Sequence, residues 1–233
     1  MNEQENWIGF KLYQYTQTRN GENAETFLKG YTAYLVCDGH DGYNKLKNVT
    51  RCGCWAHARR KFYEALPVDE EIRKTSIANE GFERINQLFD LEREYAKIDS
   101  EERYTQRQEH SKKVLDGFYA WLETVNPSQG TGLAKAVQYA RNEKNHLYAF
   151  LEDPQIPIDN NLAERVVKPF VVEKNRLFSS SPKGADASAI AYSIINTAQA
   201  NGIDVREYLS NIFRTGERRL PLNSNKYLSR KSE

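Results

Sequence analysis

An α/β chain interrupted by a block of helices is the fold class this sequence predicts, and three observations predict it. Short apolar runs in the first 60 residues have strand character, and one of them ends at an aspartate, Asp38. From Asp69 to about Asp153 glycine becomes sparse, charge becomes dense, and apolar residues recur at intervals of three and four. Beyond Pro154 and Pro157 the chain returns to short segments punctuated by proline and glycine.

The elements follow in order. Residues 7–16 are rich in aromatic and β-favouring types, with Ile8, Phe10 and Leu12 on one face, and read as a strand. Residues 23–31 read as a short helix with Phe27 and Leu28 facing inward. The run 34–37 is a buried strand ending at Asp38; Gly39 and Gly42 then mark a turn into a helix reaching Leu46. Residues 49–52 can form a second strand. Residues 57–66 have helical spacing, with Phe62, Ala65 and Leu66 apolar, and Pro67 ends that helix. Within the charged block Ile85, Leu88 and Phe89 form one stripe, and Val114, Leu115, Phe118, Trp121 and Leu122 a second. Leu133, Val137 and Ala140 open a third that continues to Leu147 and Leu151. Three or four amphipathic helices account for that pattern. The string IDNNLAERVVKPF starts like a helix capped by Asp or Asn and is expected to stop before Pro169. Residues 171–179 read as a strand or hairpin arm and SSSPKG as a turn. Residues 185–200 form a small-residue helix closed by Asn201-Gly202, and 205–213 a last helix.

Composition narrows the classes of function. The 233 residues suit one large domain, or one with a sizeable insertion or tail. The formal charge of +1 gives no global nucleic-acid signal, so any DNA-binding surface must arise from local clusters. No apolar run approaches the roughly 20 residues that span a bilayer. The opening MNEQENWIGFKLYQYT has neither the basic start nor the apolar centre of a secretion signal, which makes a cytoplasmic location the default. Three cysteines, Cys37, Cys52 and Cys54, are too few and too odd for a disulfide framework.

Four features could carry chemistry. Asp38, at a strand end, is placed to hold magnesium or manganese, which take hard oxygen ligands; a turn or capping aspartate is the plainer alternative. Glu164, in NNLAER, stands in the first turn of an expected helix, where a capping box with Asn161 is the plainer alternative. Cys54 and His57 have C-x-x-H spacing, as do Cys37 and His40. The spacings match no common zinc module, and burial of the thiols near a hydrogen-bonded His57 is the favoured structural reading. Basic residues cluster at Arg59, Arg60 and Lys61, at Arg165 and Lys168, and at Lys174 and Arg176. Such groups contact phosphates, or simply line a solvated helix face.

The segments DGHDGYNKL, GCWAHARRKF, IDNNLAERVVKPF, KNRLFSSSPKGADASA and AQANGIDVREYL occur in this order, and together they closely resemble transposases of the insertion sequence 66 family. The resemblance runs from about Gly9 to Leu220. It implies an RNase H-like (retroviral integrase-like) core over residues 1–194, with a helical insertion at about 67–153, and a small helical C-terminal region from 195 to 233. It implies a DDE triad in which Asp38 is the second acid and Glu164 the third, holding two magnesium (or manganese) ions. Cys54 and His57 match a C-x-x-H element found after the second acid in related groups. Arg59, Arg60, Arg165, Lys168, Lys174 and Arg176 would then steady DNA, both transposon ends and target. A homo-oligomer in a synaptic complex, other proteins of the same element, and a bacterial cytoplasmic, nucleoid-associated setting belong to the same implication. The sequence departs from the family at Cys37, where threonine is usual, at His40, where an aromatic residue is usual, and at its start. There nothing matches the Asp-Glu-Thr motif that holds the first acid. The chain is accordingly expected to be an N-terminally truncated copy that is weak or inactive alone. The alternatives are a non-catalytic DNA-binding remnant and a structural zinc-binding protein.

Overall fold

The computed structural model describes residues 9–18, 20–173 and 181–216. The chain divides into two compact units, Asn20–Leu162 in one and Met1–Arg19 with Ala163–Glu233 in the other.

The larger unit opens with helix α1, Gly21–Phe27, started by the Asn20 side chain accepting from the Glu22 amide. Phe27 is exposed and not inward-facing, because this short helix leaves it beyond the core. Strands β1, Tyr34–Cys37, and β2, Thr50–Gly53, pair in parallel, with Leu35 opposite Arg51, Val36 opposite Cys52 and Cys37 opposite Gly53. A parallel return needs a crossover of about a dozen residues, and residues 38–49 supply it through a 3₁₀ turn at Asp41–Lys45. Helix α2, Trp55–Glu64, follows β2 directly.

The helical block then builds most of the core: α3 (Glu70–Thr75), α4 (Ile77–Tyr95), α5 (Ser100–Gln106), a π-helical turn (Arg107–Ser111), α6 (Lys112–Thr124), α7 (Gly132–Asn142) and α8 (Lys144–Tyr148). Asp69, Ser76, Asp99 and Thr131 cap α3, α4, α5 and α7 by accepting backbone N–H bonds, which fixes where each begins. The stripes read from the sequence face one another. Trp55 and Phe62 of α2 meet Phe118 edge-on at 5.6 and 6.0 Å, and Ile85, Leu88, Leu115, Leu122 and Val137 close around them. The Trp55 indole N–H donates to the Leu147 carbonyl at 2.8 Å, so the ring is satisfied as well as buried.

One charged side chain organises this block. Arg107, 1% exposed, sits on the π-helical turn and uses all five guanidinium N–H groups. Nε and Nη2 bind the two Glu92 carboxylate oxygens at 2.9 and 2.7 Å. The others reach the carbonyls of Phe150, Asp153 and Ile156 at 2.9, 3.0 and 3.0 Å.

The smaller unit contains most of α9 (Asn161–Glu173), with α10 (Pro182–Ala200) and α11 (Val205–Thr215). Helix α9 runs through Pro169 where a stop is expected; proline costs about 3 kcal/mol in a helix interior, and the helical turns on both sides offset it. Residues 171–173 are therefore helical and not strand, and 174–180 lie outside the described residues. Ser181 caps α10 and Pro182 starts it, so the end of SSSPKG is a helix N-terminus. Ala198, Ile203 and Tyr208 form a small core, with Ile194, Val205 and Ile212 against it.

The strand expected at 7–16 is not a ladder strand in residues 9–16. That segment is bonded instead to polar side chains of α10 and its cap. Asn201 donates to the Gly9 carbonyl at 3.0 Å. The Lys11 amide donates to Thr197 Oγ1 at 2.9 Å, and Thr197 donates back to the Lys11 carbonyl. The Tyr13 amide donates to Ser193 Oγ at 2.9 Å. Odd-numbered residues face the helix, and Phe10 and Leu12 are exposed. Among the described residues no helix is long and apolar enough to cross a membrane.

Candidate functional site

Asp38 stands where β1 ends, in the larger unit. Buried Cys37 precedes it, and its own carboxylate is partly exposed. Oδ1 accepts the His40 amide at 3.3 Å, a turn-type bond, and no other hydrogen bond to this carboxylate is found among the described residues. His40 in turn accepts the Gly42 amide on Nδ1 at 3.0 Å, which starts the 3₁₀ turn and requires an unprotonated Nδ1. The loop bearing Asp38 is thus tied internally by two consecutive side-chain-to-amide bonds.

The cysteines are free and buried. Burial pushes the Cys37 thiol up to about 11 and the Cys52 thiol up to about 12, and it raises Cys54 as well. At neutral pH all three keep their protons, whereas zinc takes thiolates. Cys54 stands between β2 and α2, where its sulfur accepts the Asn160 amide at 3.4 Å, and the next amide, of Trp55, donates to the Ile158 carbonyl at 3.0 Å. These bonds join the GCWAH string to the residues leading into α9. His57 lies partly buried in the first turn of α2. Among the described residues no group of three or more His, Cys, Asp or Glu side chains is gathered as a metal-holding cluster.

Glu164 lies in the first turn of α9, in the smaller unit, and is half-buried. Asp159 prepares that helix start: Oδ1 accepts the Asn161 amide at 2.9 Å and Oδ2 accepts the Asn161 side-chain amide at 2.7 Å. Asn161 is the first helical residue of α9. A helix N-terminus favours a carboxylate in its first turn, where Glu164 stands. Further along α9, the Tyr13 hydroxyl donates to the Val166 carbonyl at 2.6 Å and accepts from Asn196 at 2.8 Å, fixing α9 to α10.

The basic residues separate by setting. Arg60, Arg165 and Lys168 are exposed. The Arg59 guanidinium lies over the rings of Phe82 and Phe89 at 5.1 and 5.2 Å, and the Lys61 ammonium lies over Tyr139 at 4.9 Å, so both cations also pack. Lys174 and Arg176 lie outside the described residues.

Sequence reasoning passed over Arg51 and Glu143, which form an ion pair with side chains 7% and 11% exposed. A signal was available for Arg51, a charged residue within a short strand that is buried from Arg51 onward. Nothing in the local pattern singled out Glu143 among the many acids of the helical block.

The chain matches the model of the Transposase IS66 family over residues 2–187, a span that holds Asp38, Glu164 and the strings around them. It is also similar to three proteins of Sinorhizobium fredii (strain NBRC 101917 / NGR234), the uncharacterized proteins y4hP, y4qI and y4jD. Identities are 30%, 30% and 29%, over 86%, 85% and 86% of this chain and 40%, 38% and 41% of the respective relatives. The chain spans about two-fifths of the length of these curated relatives. No solved structure matches it. With the family's model running through both carboxylate segments and the intervening helical block, the chain belongs to the IS66 family of transposases.

Proposed function

We propose that this chain carries two carboxylates, Asp38 and Glu164, with which an RNase H-like DDE transposase cuts DNA and joins it to a new site. The observation that carries the reading is the setting of Asp38. It stands at the carboxyl end of a parallel strand, the place where α/β sheets take their ligands, and a single turn bond uses one of its oxygens. Half-exposed carboxylate oxygen is the donor that magnesium or manganese prefers, and the buried protonated thiols nearby are not. That oxygen suits a hard divalent cation, and in this reading Asp38 and Glu164 are the residues that would hold it. Two such ions, when bound, activate the attacking oxygen and stabilise the leaving one.

The remaining residues orient DNA. Exposed Arg60, Arg165 and Lys168 supply cations for phosphates, and Lys174 and Arg176 belong to the same group in this reading. Arg59 belongs to the same group in this reading, its guanidinium also packing over Phe82 and Phe89. Transposon ends and target DNA are the substrates, within a synaptic homo-oligomer that other proteins of the element can join. In the same reading residues from about 67 to 153 are an insertion within a catalytic region of residues 1–194, and residues 195–233 are a small C-terminal region, a boundary that falls within α10.

Iron-directed cleavage tests this without requiring turnover. Fe²⁺ replaces Mg²⁺, and peroxide with ascorbate generates radicals that cut the protein backbone beside the ion. Cuts next to Asp38 and Glu164, suppressed by excess Mg²⁺ and lost in Asp38→Asn and Glu164→Gln, are expected. An absence of cuts, or cuts unaffected by both substitutions, would defeat the reading.

A further inference from the structure

We infer that Arg51, Glu143, Asn44 and Tyr139 form a clamp that fixes the loop carrying Asp38, and that Arg51 and Glu143 are positioning residues for that carboxylate. The inference rests on the reading of Asp38 as a metal-holding group.

Residues 38–45 leave β1 as a loop tied internally by short turn bonds and by the edge contact of His40 with Tyr43. The clamp grips it from outside at two points. At the far point, Arg51 extends from β2 and forks, with Nη1 donating to the Asn44 side chain in the 3₁₀ turn and Nη2 donating to Glu143 between α7 and α8. The loop is thereby joined through one guanidinium to both the sheet and the helical block. At the near point, Gly39 is pressed against the same helix end. A Cβ at Gly39 would stand 2.6 Å from Tyr139 Cε2 and 3.3 Å from the Glu143 carboxyl carbon. The residue directly after Asp38 thus has its height above α7 set by contact, and only glycine fits there.

Charge explains why an ion pair occupies this place. A buried salt bridge adds little to stability beyond what apolar residues of equal volume would give. What it adds is direction, because a planar fork donates to its partners at fixed angles. Arg51 also neutralises Glu143, which would otherwise bring a second uncompensated carboxylate to the helix end that Gly39 touches, beside Asp38.

Amide hydrogen exchange of the full chain, read by mass spectrometry over residues 38–45, is the direct test, with manganese binding followed by electron paramagnetic resonance alongside. Glu143→Gln cuts the charge from the clamp. Asn44→Ala, at an exposed residue, releases the loop while leaving the buried pair intact, so the inference stays testable if Glu143→Gln folds poorly. Both are expected to speed exchange in 38–45 by roughly tenfold or more with the Ile85–Phe89 region unchanged, and to weaken manganese binding by roughly 10- to 100-fold. Asp38→Asn should abolish manganese binding without speeding exchange. Unchanged exchange in both clamp variants overturns the inference. So does loss of manganese in Glu143→Gln with exchange intact, since Glu143 would then be a ligand itself. Faster exchange in the clamp variants together with manganese binding indifferent to Asp38→Asn upholds the clamp and refutes the metal-holding reading.

Discussion

Replacing Arg107 with methionine removes the guanidinium while keeping an unbranched side chain of similar reach. Glu92, whose side chain is 13% exposed, then loses a bidentate partner, and three carbonyls lose their donors. Breaking one side of a buried pair costs about 3–5 kcal/mol, chiefly because the remaining charge stays buried and unpaired. Each carbonyl bond adds about 1 kcal/mol in isolation, but the three share one donor group and do not add fully. A loss of about 4 kcal/mol is therefore expected, a large part of the 5–15 kcal/mol that typically separates folded from unfolded. Removing the charge on both sides, with Glu92→Met added, should restore about half of that loss, because desolvation and not hydrogen bonding dominates it. Urea unfolding followed by tryptophan fluorescence is suited to the measurement, since Trp55 and Trp121 both lie in the unit that holds Arg107. A loss below about 1 kcal/mol in Arg107→Met, or a double variant no more stable than the single one, would refute the reasoning.

Two glycines in neighbouring helices should respond to alanine with opposite signs. At Gly81 in α4 a Cβ would lie 2.4 Å from Phe62 Cε1 and 2.8 Å from Trp121 Cη2, so overpacking of about 1–3 kcal/mol outweighs a helix-propensity gain of about 1 kcal/mol, and Gly81→Ala lowers the melting temperature. At Gly117 in α6 nothing lies within 4 Å, and Gly117→Ala should raise stability by about 0.5–1 kcal/mol in the same melting assay. The buried thiols predict an alkaline limit. The Cys37 and Cys52 values lie above the ordinary thiol value of 9.0, so the unfolded chain loses these protons first. Their contribution is complete below about pH 9 and is lost as pH rises toward 11 and 12. The urea midpoint should fall between pH 8 and 10.5 more steeply than in a Cys37→Ala, Cys52→Ala variant, and equal slopes would count against it.

How much of this was legible depended on where each residue's partners lie. The strand 34–37 and the turn after it were readable because a short apolar run followed by Asp38 and two glycines is a local signal. The stripes of the helical block were readable because their partners are other stripes of the same kind. The segment at 9–16 was read as a strand on the apolar face of Phe10 and Leu12, but those two are exposed. Gly9, Lys11 and Tyr13 are the residues that meet a partner, a helix bearing Ser193, Thr197 and Asn201. Pro169 is a strong local stop that the observed helix overrides. At the site, Asp38 and Glu164 were visible through the strings around them. Arg51 and Glu143 are 92 residues apart, and no local pattern connects a β-strand arginine to one acid among many.

The strap formed by residues 9–13 along α10 has a length limit written into its geometry. Its rungs advance two residues on the extended side and four on the helical side. An extended pair covers about 6.6–6.8 Å and a helical turn of four residues about 6.0 Å, so the two scales drift past each other like a vernier. Across the two intervals from Asn201 to Ser193 the drift is about 1.5 Å, which flexible side chains absorb. A further interval would bring it to about 2 Å and would set Tyr15 opposite Ala189, which has no polar group to offer. A ladder between two strands can keep lengthening and so invites a third chain; this fastening, with three rungs among the described residues, runs out of polar side chains at its Tyr15 end.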